Sequence, residues 1–297
     1  MGPVPVPADN PMTAEKIALG RQLFFDKRLS EDNSISCADC HHPELAFTDG
    51  KARSTGFHDS ISQRNAPTLL NSAYLKTLMF DGEIKTLEMQ VIVPIQEHAE
   101  MHSDMKKLIA ELKAVPEYEA AAREIFGRSF DPYVLTRSIA AFERTLISQN
   151  SAFDRFYRGD NNALTASQQR GWKLFSEELY CTKCHQPPFF TNYKVENNGL
   201  YKEYGTDQGR FRITRVESSK GLFKVPTLRN ILLTAPYMHD GSILTLDAVL
   251  DHYASGGKQH PNQSPVIRKF ALPEKKRSDM LNFFQSLTDT TYLRNFQ

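Results

Sequence analysis

All four cysteines of this chain stand in one pattern that is written twice. Cys37-Ala-Asp-Cys40-His41 and Cys181-Thr-Lys-Cys184-His185 are both C-x-x-C-H, the spacing that attaches a c-type haem. The reason is chemical: two thiols add across the two vinyl groups of one porphyrin, and the next residue, His, ligates the iron. Two copies predict two covalent haems, redox chemistry, and His41 and His185 as iron ligands. Zinc and disulfides fit less well. A Cys₄ zinc site usually brings together C-x-x-C pairs roughly 15–20 residues apart. Here the pairs are 37/40 and 181/184, and zinc gives no reason for a His after each. A thioredoxin-type redox pair calls for a βαβ context, which the sequence lacks.

The elements around the two motifs repeat as well. Thr13-Ala14 and Gly20-Arg-Gln-Leu-Phe24 precede the first, Thr165-Ala166 and Gly171-Trp-Lys-Leu-Phe175 the second. Each reads as a helix with Thr at its N-cap. A mid-helix Gly costs about 1 kcal/mol against Ala, so Gly20 and Gly171 need a reason. In cytochrome c such a glycine lets two helices cross closely. After each motif, His-x-Pro leads to Phe47-Thr48 and to Phe190-Thr191. Each half closes on apolar residues at helical spacing, Ile139–Leu146 and Met280–Leu287. The pattern predicts a mostly α protein of two tandem cytochrome c-like domains, 1–160 and 161–297. The polar, turn-rich run Arg158–Asn162 marks the boundary. Phe211–Val216 alternates over a short span and predicts a small hairpin strand.

The 297 residues, 40% hydrophobic with net charge +1, suit two domains with cores of their own. Lys and Arg are scattered, so no nucleic-acid footprint is expected. No apolar run approaches the roughly 18 residues of a membrane span. Met1–Pro7 has neither the basic nor the apolar region of a signal peptide. Covalent haem attachment takes place outside the cytoplasm, so the expectation is a periplasmic protein whose export signal has been removed.

Two such domains in one chain resemble the bacterial di-haem cytochrome c peroxidase/MauG family, from about Pro11 to Thr288. The motifs that carry the likeness are Gln63-Arg-Asn-Ala-Pro-Thr68, Phe80-Asp-Gly82, Pro94-Ile-Gln96 with Glu100-Met101, Val225-Pro-Thr-Leu-Arg-Asn230 and Pro236-Tyr-Met-His-Asp-Gly241. The resemblance implies roles. Glu100 matches the distal glutamate that moves a proton from the inner to the outer peroxide oxygen. Gln90 matches a glutamine that hydrogen-bonds bound peroxide, and Pro94 matches a pocket-lining proline. By itself Glu100 is an ordinary charged residue between His98 and His102. His58 sits where many of these peroxidases carry a loop histidine that caps the first iron; the alternative is a surface histidine.

At the second haem the resemblance puts the other axial ligand on the helix after His239–Ser242. Met there gives a high potential. The matching position here is Tyr253, as in MauG-like members, with His252 the alternative one residue away. Met238 and Met280 are poorer candidates, more suited to packing. One position departs from the family: Phe80 stands where a Trp lies between the haems, and the one Trp is Trp172. Phe at 80 counts against hole sharing between the haems, and Tyr253 counts towards it. The family also carries calcium, held by an Asn and backbone carbonyls, which places it at Asn65, Thr234 and Pro236.

The first expectation is therefore an enzyme that reduces hydrogen peroxide to water. Its electrons come from a small donor such as a c-type cytochrome or cupredoxin, enter at the second haem and are used at the first. The alternative is a MauG-like enzyme that oxidises side chains of a partner protein. A plain two-haem electron carrier would leave Gln90, Pro94 and Glu100 unexplained. Family members are often homodimers.

Overall fold

The computed structural model describes residues 1–296. It is mostly helical and divides into two compact units. One comprises residues 2–78 and 84–147; the other comprises residue 1, residues 79–83 and the chain from 148 onward.

In the first unit α1 (Ala14–Phe24) starts where expected, with the Thr13 hydroxyl accepting from Lys16 N at 3.2 Å. Its buried stripe is Leu19, Leu23 and Phe24. Short helices α2 (Leu87–Gln90) and α3 (Ile92–Gln96) follow, capped at the front by Thr86. Then come α4 (Met105–Lys113) and α5 (Pro116–Phe126). The closing helix α6 (Pro132–Glu143) is capped by Asp131 and carries Pro at its first turn, where the missing N–H is no loss. The expected apolar run to Leu146 leaves the helix at Glu143, because Thr145 N and Leu146 N turn back to Phe142 O and Glu143 O.

α1 and α6 cross at Gly20. A Cβ built there would lie 1.8 Å from Ser138 O and 3.0 Å from Phe142 Cβ. The approach is set by backbone, not by a side chain that could move aside.

In the second unit α7 (Ala152–Tyr157) and α8 (Ala166–Lys173) both begin with capping boxes, Ser151/Asp154 and Thr165/Gln168. β1 (Val195–Glu196) pairs antiparallel with β2 (Phe223–Lys224), with Val195 opposite Lys224. Between them lies the single turn α9 (Phe211–Thr214). α10 (Leu246–Ser255) is capped by Thr245 and stopped by left-handed Gly256. The closing helix α11 (Glu274–Ser286) crosses α8 at Gly171, where a Cβ would lie 2.0 Å from Asp279 O and 2.7 Å from Phe283 Cβ. Arg170 clamps the same Asp279 with two hydrogen bonds, of 2.9 and 2.7 Å. Phe153, Trp172, Phe175, Phe190 and Phe283 form the aromatic core beside this crossing.

Replacing Gly171 by Ala is expected to destabilise the protein by at least the roughly 1–3 kcal/mol typical of overpacking. The added methyl meets a carbonyl that can yield only if α8 and α11 part. Thermal unfolding checks it; an unchanged midpoint would mean that the crossing is loose.

Two expectations need correction. Phe211–Val216 is not a strand. Ile213 and Val216 are 40% and 54% exposed, so the alternation has no apolar face to bury. Phe211–Thr214 instead makes one helical turn, and the strand pair forms at β1 and β2. The units also divide earlier than residue 160. Arg158–Asn162 is the turn between α7 and α8 inside the second unit. Residues from 148 on belong there because Arg229 Nε holds Ser148 O at 3.0 Å and the Asp289 carboxylate accepts from Gln149 N and Asn150 N, both at 2.8 Å. Phe153 is buried in the same core. Residues 79–83 join this unit too, through Lys224 N to Phe80 O and Arg210 Nη1 to Asp81 O at 2.8 Å.

Among the described residues no helix is long and apolar enough to cross a membrane.

Candidate functional site

The first C-x-x-C-H segment is wound into one tight turn. Ser36 N and Oγ both donate to Asp39 Oδ2, at 2.8 and 2.7 Å, and His41 N returns to Cys37 O at 3.0 Å. This puts both thiols and the imidazole on one wall. The His41 Nδ1 lies 2.8 Å from Phe47 O. A carbonyl there holds the proton on Nδ1 and leaves Nε2 to bind a metal. To aim that carbonyl the chain runs through left-handed Ala46 and Phe47, φ +53° and +59°, a conformation that costs non-glycine residues about 1–3 kcal/mol each.

The second motif repeats the device. His185 N returns to Cys181 O at 2.9 Å, and His185 Nδ1 lies 2.9 Å from the carbonyl of left-handed Phe190. The Phe-Thr repeat was visible in the sequence, but its purpose, orienting each histidine ring, was not. Burial lowers both histidines' affinity for protons, so each ring is neutral and ready to ligate.

All four cysteines are free of disulfides. Burial raises their thiols: Cys37 strongly, Cys40 and Cys184 to about 11, and Cys181 to about 12. Zinc needs thiolates. These surroundings favour uncharged sulfur, which a thioether supplies. Among the described residues no group of three or more His, Cys, Asp or Glu is arranged to hold a metal ion.

The wall of Cys37, Cys40 and His41 belongs to a cavity in the first unit. Gln90, Pro94 and Glu100, widely separated from the motif in sequence, line the same cavity. Gln90 ends α2 and Pro94 lies in α3. Glu100 is held by the loop that follows, whose backbone is tied to the 54–62 segment through Phe57 N to Glu100 O at 2.7 Å. Gly56 permits this: a Cβ there would lie 2.1 Å from Ala99 O. Burial, with the nearby Glu97 charge, pushes the Glu100 carboxyl up to about 7. A carboxyl poised there can both take and give a proton at neutral pH. α6 adds Ile139 and Glu143 to the lining; sequence reading had passed over Glu143 as part of an amphipathic helix.

His58 is exposed on an adjoining 3₁₀ turn, stacked on Phe57 with ring centroids 3.9 Å apart, and does not line the cavity.

At the second motif, Tyr253 on α10 is half-buried, within electrostatic reach of the Cys181 and Cys184 sulfurs were they ionised. Burial, reinforced by those two sulfurs, pushes its hydroxyl up to about 12, opposed by a hydrogen bond with the Asn198 side chain. His252 is buried, and its Nε2 lies 3.0 Å from Asn198 O. Its ring is therefore occupied by backbone. The Met238 sulfur accepts from Asn198 Nδ2 at 3.3 Å, and Met280 is 1% exposed in the aromatic core. Asn198, unmarked by any sequence signal, thus meets Tyr253, His252 and Met238. Phe80 is half-buried, and Trp172 packs on Phe153. Asn65 Nδ2 donates to Lys51 O at 2.7 Å, leaving the amide oxygen as its donor to a cation. Thr234 hydrogen-bonds Ile231 O at 3.3 Å, and the Ala235–Pro236 peptide is cis.

Residues 14–162 match the family model described as di-haem cytochrome c peroxidase. Over 96% of its length the chain is 39% identical to the methylamine utilization protein MauG of Methylorubrum extorquens, covering 81% of that protein. It is 35% identical to the cytochrome-c peroxidase IdrP1 of Denitromonas iodatirespirans, over 97% of this chain and 85% of that one. Among solved structures, a MauG-like protein associated with microbial copper homeostasis superimposes with a TM-score of 0.93 at 34% identity, covering 99% of this chain and 95% of that one. A family of this kind implies c-type haem cofactors, and the residues around Cys37–His41 and Cys181–His185 fit them. The chain belongs to the di-haem cytochrome c peroxidase/MauG family and is a peroxidase-type oxidoreductase.

Proposed function

We propose that this protein reduces hydrogen peroxide to water at the first site, with electrons from a small redox protein such as a c-type cytochrome or cupredoxin. The observation that carries this reading is the shared cavity, which puts Glu100 and Gln90 beside Cys37, Cys40 and His41. Bound covalently at the two motifs, haem would supply the electron relay and the iron at which peroxide is reduced, with electrons received at the Cys181–His185 site and used at the Cys37–His41 site. The chain does the rest. Gln90 offers an amide to hold peroxide. Glu100 accepts a proton from the inner oxygen and returns it to the outer one, so that water can leave. Pro94 and Ile139 keep the wall apolar. His41 and His185 would hold the iron, their rings fixed by the Phe47 and Phe190 carbonyls. His58, exposed and outside the lining, stands in this reading as a loop residue rather than a cap.

A second reading differs only in where the two electrons originate: the side chains of a partner protein. Tyr253, set close to Cys181 and Cys184 with its hydroxyl on Asn198, favours it. Phe80 weighs against it, since phenylalanine is harder to oxidise than tryptophan and has no N–H. Calcium at Asn65, Thr234 and Pro236, a periplasmic location and a homodimer are carried by the family likeness.

Donor stoichiometry separates the two readings. Peroxide added to the haem-loaded protein with excess reduced cytochrome c or cupredoxin is expected to oxidise two donors per peroxide. Peroxide consumed with the donors left reduced would overturn the first reading in favour of the second.

A further inference from the structure

The cavity of the first site holds a second carboxyl that the peroxide chemistry leaves unused. Glu143 ends α6, is 4% exposed and lines the same cavity as Cys37 and Glu100. Among the described residues its Oε2 has no hydrogen-bond partner. A buried carboxylate is costly unless it is paired, and the neighbouring cation does not pair with it. Arg144 is turned to Glu88, with Nη1 2.8 Å from Oε1 and Nη2 3.0 Å from Oε2.

The charged and titratable groups around Glu143 come from several elements. Glu88 of α2 repels its charge and Arg144, next along the chain, attracts it. Cys37 of the haem loop couples to it and is uncharged both as a thiol and as a thioether. Glu100 shares the cavity from the segment after α3, and so does His41, whose Nδ1 is engaged by Phe47. Burial outweighs the rest and pushes the Glu143 carboxyl up to about 8.

We propose that Glu143 is the redox-linked proton site of the first haem pocket: its carboxylate takes one proton from solvent when that haem gains an electron, and releases it when the electron leaves. The inference rests on the reading of this cavity as a haem site. An electron placed beside a buried carboxylate in a medium of low dielectric is strongly repelled, and one proton cancels that repulsion. The overall reaction needs it. Peroxide plus two electrons and two protons gives two waters, whereas Glu100 only relocates a proton between the two oxygens. Protons must therefore arrive with the electrons, and Glu143 is placed to hold one.

The test is a spectroelectrochemical titration of the first haem in the full haem-loaded chain, between about pH 6 and pH 10. The wild type is expected to lose potential as pH rises above about 8, where Glu143 is ionised before the electron arrives, by up to the 59 mV per tenfold change in proton concentration that one proton per electron gives. Glu143→Gln, which keeps the shape but not the acid, is expected to remove most of the slope above about pH 8, whereas Glu100→Gln, at a carboxyl that sits at about 7, is expected to change the slope below that pH and leave the part above it. A flat wild-type potential, or an unchanged slope in Glu143→Gln, would overturn the proposal. Should the Gln variant fail to take haem, Glu143→Asp keeps an acid on a shorter stem and is expected to move the pH window; an unmoved window also overturns it. Mass analysis keeps the two levels apart. No haem on Cys37 and Cys40 would overturn the reading of the site, whereas haem present with a flat potential would overturn only the role of Glu143.

Discussion

Replacing Glu100 by Gln is expected to lower peroxide turnover by about 10²–10⁴-fold, the usual contribution of a positioned acid–base group, while both haems stay attached. Gln preserves the size and hydrogen-bonding reach of the side chain but cannot carry a proton between two oxygens. The fold should tolerate the change, because the carboxyl faces the cavity and its burial favours a neutral group. The pH profile gives a second check. As a base, Glu100 must be ionised to accept the first proton, and its carboxyl sits at about 7. Turnover should therefore rise as pH increases through that value, and the rise should vanish in the variant. Wild-type turnover in Glu100→Gln, with the same pH profile, would move the acid–base role to another residue.

Tyr253→Met is expected to raise the midpoint potential of the second haem by a substantial part of the about 0.8 V range that axial ligands span. A phenolate stabilises ferric iron and a thioether the ferrous form. Two observations favour Tyr253 over its neighbour. Tyr253 is within electrostatic reach of Cys181 and Cys184, whereas the Nε2 of His252 is taken by Asn198 O at 3.0 Å. The variant should also shift behaviour from partner oxidation towards donor-driven peroxide reduction, since a higher potential makes electrons easier to accept. Potentiometric titration decides it. A potential that does not move in Tyr253→Met but does move in His252→Ala would assign the ligand to His252.

Much of this was legible because covalent chemistry and helix crossing both leave local signatures. C-x-x-C-H must be contiguous to grip one porphyrin, so it can be read from five letters. Thr13 and Thr165 cap their helices as any N-cap does, through a bond three residues long. Gly20 and Gly171 stand out because a helix interior tolerates glycine poorly and so needs a reason, here a backbone carbonyl about 2 Å from where a Cβ would be. The alternation at Phe211–Val216 misled because period alone says nothing about burial, and two of its apolar residues face solvent. The division at residue 148 was hidden because it depends on Arg229 and Asp289, far along the chain, reaching back to residues 148–150.

The sequence by itself determined the two C-x-x-C-H motifs, the repeated elements around them and the family they resemble, because each depends on residues adjacent in the chain or one helical turn apart. Only the tertiary structure decided which side chains share a cavity and what state they are in. Glu100 and Glu143 are both charged letters on paper. Each becomes a proton-holding group because chain segments remote in sequence close around it and strip it of water, and no local pattern records how much water a fold will exclude.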